Sequence, residues 1–334
     1  STGVKAYQIE NAEKLYERWR AEIELLEKPG RNVVKAKDKG RVGHILILDH
    51  CTPTPDMDAG SITVLNIMRL LLSLGYHVTF IPDDNFLYMP GYTSCIQSMG
   101  VEALYAPHYL SVKKYLKESG NRYDGVIIFR PTVAERHLSD VEGYCSNAKI
   151  IYHTSDLHYL RFQREAELKN SKSKLNEADK MMAYELDIFR RSDATIVHSS
   201  TEAEILVKDH GVRNLHIFPW AIDIRGTERG FKERSDICFI GGYQHVPNVD
   251  AAVNFINEIF PLVSNILPDV KFYAIGSNPP ERINKLYSDK VVVTGYVDDL
   301  DSLIDKMRVS VASLRYGAGI KGKVATTLSA GLPC

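Results

Sequence analysis

Leu314-Arg315-Tyr316-Gly317-Ala318-Gly319-Ile320-Lys321-Gly322-Lys323 lies between an apolar run at 309–313 and a helical stretch that closes on Ser329-Ala330-Gly331. An apolar strand, a glycine-rich turn and a helix, in that order, make one unit of a parallel, doubly wound sheet. Gly317, Gly319 and Gly322 let the backbone turn sharply and approach a ligand. The helix that follows presents free N–H groups and partial positive charge at its start, a setting that suits a diphosphate. Lys321 and Lys323 add two full charges at the same end. Read literally, 317–322 is G-x-G-x-x-G, the dinucleotide fingerprint. That fingerprint belongs to the first turn of its domain, with an acidic ribose ligand about 20 residues later. Here the loop falls in the fourth unit of its series, and the lysines favour direct phosphate contact. A purely structural turn before a helix is the plainer alternative.

Outward from this loop the same alternation recurs. Predicted strands at 237–240, 270–275, 290–293 and 309–313 alternate with helices at 248–265, 281–287, 300–306 and one opening near Lys321. An earlier series has strands at 44–48, 77–81, 125–129, 148–152, 194–197 and 215–217. Its helices include 62–74, closed by Gly75, and a long one within 160–191. The strands are continuously apolar, as expected where helices cover both faces of a sheet. A polar stretch rich in glycine and charge, 224–234, separates the two series. The expected class is α/β, with two Rossmann-like domains, 41–222 and 223–334, facing across a cleft. Ligands of such sheets sit beyond the C-terminal strand ends. A domain of this kind would continue past Cys334 by about two further βα units, so the second one is expected to be incomplete here.

Residues 1–40 read as a helical appendage. Within 10–28, Ala12, Leu15, Trp19, Ile23 and Leu26 recur at spacings of three and four, and Pro29-Gly30 ends the pattern. The stripe is expected to pack on a domain edge, the alternative being a docking element for another chain or domain.

The 334 residues are 44% hydrophobic and 25% charged, enough for two cores, and the net charge of −1 offers no general attraction to nucleic acid or anionic lipid. No apolar run reaches the ~18 residues of a membrane span, and the N-terminus lacks a signal-peptide pattern. Five scattered cysteines without a C-x-x-C pair favour free thiols in a reducing, cytoplasmic setting.

Candidate acid–base and cleft residues follow predicted strand ends. Tyr152-His153-Thr154-Ser155-Asp156-Leu157-His158 follows one such strand, and either His153 or His158 could hydrogen-bond a substrate, with Asp156 between them. A structural histidine is the bland alternative. The same three residues have a spacing that permits metal but does not specify it, and no metal is expected. Arg130 ends an apolar strand and could pair with a substrate anion or with an acid such as Glu135. Asp58 and Gly60 sit on a loop leading into a helix, where Asp58 or Ser61 could simply be a cap. His245 and Asn248 open the first helix of the second series, as ligand contacts or, for Asn248 above all, as a cap.

At this point the residues carry a resemblance. Gly317-Ala318-Gly319-Ile320-Lys321-Gly322-Lys323, followed by Leu328-Ser329-Ala330-Gly331-Leu332-Pro333, resembles the donor-site signature of family-4 retaining glycosyltransferases with the GT-B fold. More specifically it is similar to a bacterial cell-surface polysaccharide subgroup. Further segments agree in order: Pro53-Thr54-Pro55-Asp56 with Asp58-Ala59-Gly60-Ser61, Arg130-Pro131 with Ala134-Glu135-Arg136, and Asp156-Leu157-His158. So do Phe239-Ile240-Gly241-Gly242, Pro247-Asn248-Val249-Asp250, Gly276-Ser277-Asn278-Pro279-Pro280 and Thr294-Gly295-Tyr296-Val297. The resemblance implies a hexosyltransferase that moves a sugar from a nucleotide-diphosphate donor to a glycan or lipid-linked acceptor, with retention and without metal or other cofactor. The first domain would take the acceptor and the second the donor. Gly60, Gly241, His245, Asn248, Gly317, Gly319, Ile320, Lys321, Lys323 and Thr326 would line the donor site, Arg130 and Asp58 the acceptor side, and His153, Asp156 and His158 the reacting centre. Front-face attack with the leaving phosphate as base would need no separate nucleophile. Peripheral membrane association and additional domains in the full-length protein are compatible with this role; a nucleic-acid partner is not expected.

Two departures from the family pattern stand out. Its two glutamates flanking the glycine loop correspond to Ala318 and Thr326, and its Arg and Lys after the first strand of the donor domain correspond to Gly242 and Pro247. A catalytically weakened binding or scaffold module is therefore a second reading, a GT-B sugar-nucleotide epimerase a third, and a dehydrogenase the least favoured.

Overall fold

The computed structural model of the chain describes residues 4–24 and 40–334. Its first domain holds a seven-stranded parallel sheet. The strands are β1 (His44–Asp49), β2 (His77–Pro82), β3 (Glu102–Ala103), β4 (Gly125–Phe129), β5 (Lys149–His153), β6 (Ala194–Val197) and β7 (Leu215–Ile217), ordered β3-β2-β1-β4-β5-β6-β7. The second domain holds a four-stranded parallel sheet of β8 (Ser235–Ile240), β9 (Phe272–Ile275), β10 (Val291–Gly295) and β11 (Met307–Ser310), ordered β10-β9-β8-β11. The order reverses between β1 and β4 in one sheet and between β8 and β11 in the other. Connections leave such a seam in opposite directions, opening a crevice at the C-terminal strand ends.

Burial explains why the strands read as unbroken apolar runs. Leu46 and Leu48 of β1 join one apolar cluster with Leu116, Tyr123 and Leu138. Ile45 and Ile47, pointing the opposite way, join another with Val64, Met68 and Phe80. Both faces of the sheet are covered, and each fully buried Leu or Ile contributes roughly 1.5–3 kcal/mol. Two further clusters flank the second sheet, one around Phe239, Phe255 and Phe272, the other around Cys238, Ile304 and Leu332. The five cysteines are free.

Several expected boundaries move. β11 ends at Ser310, before the expected 313, because Leu314 N–H turns back onto the Ala312 carbonyl. β9 begins at Phe272, because Val270 N–H closes a turn on Leu267. The helix expected at 248–265 runs as Val246–Asn254, a π turn at Phe255–Ile259, and Phe260–Ile266. Pro261 is the cause: it cannot donate to the carbonyl four residues back and its ring crowds it, so the backbone widens just before it. The appendage is helical at Val4–Arg18 and Arg20–Glu24. Leu15 and Trp19 are exposed, so among the described residues the stripe is not packed on a domain edge. Leu26 and the Pro29-Gly30 stop lie outside the described residues. Among the described residues, no helix is long and apolar enough to cross a membrane.

Candidate active site

The seam of the second domain forms one wall of the candidate site. After β11 the chain passes through Gly317 and Gly319 into the helix Gly322–Ser329, whose start has no side-chain cap. Its first amides are therefore open to an anion. Both lysines turn inward. Lys321 Nζ donates to the carbonyls of Ala318 (2.7 Å) and Gly319 (3.3 Å), and Lys323 Nζ donates to Asn248 Oδ1 (2.9 Å). Burial lowers the pKa of Lys321 and, with help from the Lys321 charge, brings Lys323 down to about 8. The direct hydrogen-bond partners of both ammonium groups are neutral carbonyls, and each ammonium keeps a spare donor. Ile320 and Thr326 are half-buried on the same loop and helix.

Asn248 corrects one expectation. Its side chain does not cap the helix; Nδ2 donates to the Gly242 carbonyl at 2.9 Å while Oδ1 receives Lys323. Gly241 makes room for this bridge, since a Cβ there would meet the Asn248 amide at 2.7 Å. The cap position itself is His245, which offers no side-chain cap bond. Desolvation and then the charge of Arg161 lower the His245 pKa.

The loop leaving β5 in the first domain forms the facing wall. His153 is 1% exposed, stacked on Phe129 at 4.2 Å between ring centroids and edge-on to His198 at 4.7 Å. Burial, then the neighbouring His198, push its pKa to about 3, so it is neutral. Nδ1 accepts from Ser155 N–H at 3.3 Å, which leaves the proton on Nε2, a buried atom with no partner. Asp156 pairs with His158 Nε2 at 3.1 Å and Arg161 Nη1 at 3.5 Å. Burial alone would raise Asp156, but the His158 hydrogen bond and the Arg161 charge bring it to about 2. His153 and His158 thus do different work, and among the described residues no three metal-ligating side chains converge.

The two walls touch. A Cβ on Gly319 would lie 3.0 Å from Asp156 Cβ, and Gly319 holds φ +70°, where only glycine is at ease. Ala318 packs into the apolar cluster of the first domain. Arg164 Nη1 reaches across to the Gly317 carbonyl at 2.6 Å.

Arg130, Asp58 and Gly60 gather at the seam of the first domain. Arg130 Nε bonds Asp49 Oδ1 at 3.0 Å, so its acid is Asp49 and not Glu135. Asp58 is the helix cap: Oδ1 accepts from Ser61 N–H at 2.9 Å and Oδ2 from Ser61 Oγ at 2.6 Å. The cap at the start of Ala59–Ser73 engages both carboxylate oxygens, yet the side chain stays exposed, and each oxygen keeps lone pairs for a further donor. Gly60 sits beneath Arg130, whose Nη2 would be 3.3 Å from an added Cβ.

Four participants escape a reading of the sequence: Asp49, Arg161, Arg164 and Glu185. Glu185, wholly buried, accepts the N–H groups of His158 (3.2 Å) and Tyr159 (2.8 Å) and so anchors the start of the helix that carries the two arginines. The arginines recur three residues apart after Asp156-Leu157-His158, on one face of a helix, and that spacing was the available signal.

Residues 234–334 match the family described as Glycosyl transferases group 1. No curated protein matches the chain. Among solved structures, sucrose-phosphate synthase from Thermosynechococcus elongatus is similar at a TM-score of 0.63 and 14% identity, over 87% of this chain and 80% of that one. HepE of Anabaena, solved with UDP-glucose, gives 0.59 and 11%, over 87% and 79%. TarM gives 0.64 and 10%, over 88% and 84%. Identities this low speak for the fold, which is GT-B. The matched region, less than a third of the chain, is of a glycosyltransferase family.

Proposed function

We propose that the chain transfers a sugar from a nucleoside-diphosphate donor to a glycan or lipid-linked acceptor, with retention at the anomeric carbon, in the assembly of a cell-surface polysaccharide. One observation carries the reading: an uncapped helix start flanked by two inward-turned lysines, set against a loop bearing a neutral histidine with a free Nε2–H. Breaking a glycosidic bond to a diphosphate builds negative charge on the leaving group. Fixed amides and ammonium groups in a water-poor cleft stabilise that charge most where it develops. His153 Nε2–H donates to a hydroxyl of the transferred sugar. Asp156, held ionised by His158 and Arg161, orients that loop. No resident metal or cofactor is required, because the lysines and amides take the charge. UDP-glucose in the HepE structure makes uridine donors the first to try.

Thr326 favours one competing reading. It stands where the resembled family carries a carboxylate for the donor ribose, and a hydroxyl grips a diol less strongly than a charged acceptor does. A binding module with little turnover would result. Thermal shift with ADP-, GDP-, UDP- and dTDP-sugars, followed by transfer to glycan and lipid-linked acceptors, separates the readings. Donor binding with a product of retained configuration is expected. Absence of any thermal shift sinks the donor site, and an inverted product sinks retention. Binding without transfer leaves the module, whereas donor conversion with no acceptor present points to an epimerase.

A further inference from the structure

The cations of the cleft come from both domains. Arg164, on His158–Leu168 of the first domain, donates to the Gly317 carbonyl, and Lys321 Nζ would be 2.9 Å from a Cβ on that same glycine. A guanidinium and an ammonium therefore flank one residue. Arg161, one turn before Arg164 on the same face, reaches Asp156, whose Cβ faces Gly319. Its Nε is buried and has no partner. Lys323 completes the group from the second domain. Against these four charges stand Asp156, already shared between His158 and Arg161, and Glu202, which burial holds towards its neutral form. Like charges gathered in a cleft of low dielectric repel one another unless an anion joins them.

Resting on the glycosyltransferase reading, we propose that Arg161 and Arg164 are binding residues for the donor diphosphate, closing on it from the first domain opposite Lys321 and Lys323. The positions at which the resembled family keeps an Arg and a Lys are Gly242 and Pro247 here. The arginines restore that charge from the other side of the cleft. Arg164 stays exposed and has donors beyond the one given to Gly317, and a planar fork suits a phosphate oxygen pair. A clamp split between domains also makes tight diphosphate binding depend on the two domains being in contact.

The test uses the chain as described, with Arg161→Gln, Arg164→Gln, the double variant, Arg164→Lys, and Lys321→Gln as reference. Calorimetry reads affinity for inorganic pyrophosphate, for whichever of ADP, GDP, UDP and dTDP the wild type binds best, and for the matching monophosphate. Each Arg→Gln change should weaken the diphosphate and pyrophosphate about tenfold or more, with a smaller loss for the monophosphate. The double variant bound as tightly as wild type, while Lys321→Gln weakens binding, overturns the clamp and leaves the donor site standing. Equal losses for mono- and diphosphate also overturn it, since they mean that Arg164 merely holds the Gly317 loop. A wild type that binds neither nucleoside diphosphate nor pyrophosphate overturns both proposals. Should Arg164→Gln fail to fold, Arg161→Gln and Arg164→Lys decide by the same comparison.

Discussion

Lys323 is charged or neutral according to a pH close to the working one. Burial and Lys321 bring its pKa to about 8, so the ammonium is full below that pH and is lost as pH rises through it. Anion affinity should therefore be greatest below pH 8 and fall across pH 8–9. Diphosphate titrations at stepped pH should show this decline in the wild type and a flatter profile in Lys323→Met. Identical profiles would mean that Lys323 does not face the anion. Gly319→Ala tests the contact between the walls. A φ of +70° costs an L-residue about 1–2 kcal/mol, and the new Cβ would press on Asp156. A lower melting temperature together with weaker diphosphate binding is expected; an unchanged melting temperature would show that the loop relaxes freely. These residues were legible because Gly317, Gly319, Lys321 and Lys323 are neighbours in sequence. Arg161 and Arg164 were not, because their value depends on which way one helix faces across a cleft. The cap reading of Asn248 fails for a similar reason: its partners, Gly242 and Lys323, lie on different loops.

The helix His158–Leu168 carries His158 and both arginines, and Glu185 of the neighbouring helix Lys172–Arg191 holds its first turn. Burial lifts the Glu185 pKa to about 8, against 4.5 for an unperturbed glutamate. Between those values the folded chain keeps a proton that the unfolded chain has released. Its contribution to stability thus falls as pH rises from about 4.5 and levels off above about 8, by a total on the order of a few kcal/mol. Protonated, the carboxyl still accepts both amides. Melting temperatures measured from pH 5 to 8 should fall less steeply in Glu185→Gln than in wild type; parallel slopes would show that another group titrates. At this scale the sequence was most readable where apolar runs are long, as in β1, β2 and β4, because burial on both faces excludes most polar residues. It was least readable for β3, two residues long, and for the helices Tyr92–Ser98 and Val112–Ser119, which are short and largely polar. The π turn at Phe255–Ile259 was implicit in Pro261, yet an apolar period alone runs straight through it.

Among the described residues few bonds join the two domains. Arg164 meets Gly317, Ala318 enters the apolar cluster of the first domain, and Asp56 accepts Tyr296 Oη across the cleft at 3.3 Å beside Tyr92 Oη at 2.8 Å. The exposed tyrosine bond to Asp56 contributes at most about 1 kcal/mol, and one part-buried arginine bond and a single alanine make up the rest of these, so the closed arrangement is only weakly favoured by the protein itself. A ligand that touches both walls adds its own binding free energy to closure, about 2.7 kcal/mol at a hundredfold excess over Kd. The donor should accordingly protect both walls at once. In hydrogen exchange with a saturating nucleoside diphosphate, amides at 154–161 of the first domain and 317–324 of the second should slow together, and by similar factors. In Arg161→Gln/Arg164→Gln the second-domain protection should persist while that at 154–161 is largely lost, because the anion then rests on the lysines and helix start alone. Protection confined to 317–324 in the wild type would mean that the donor is held by one domain, and the facing arginines would then have no part in holding it.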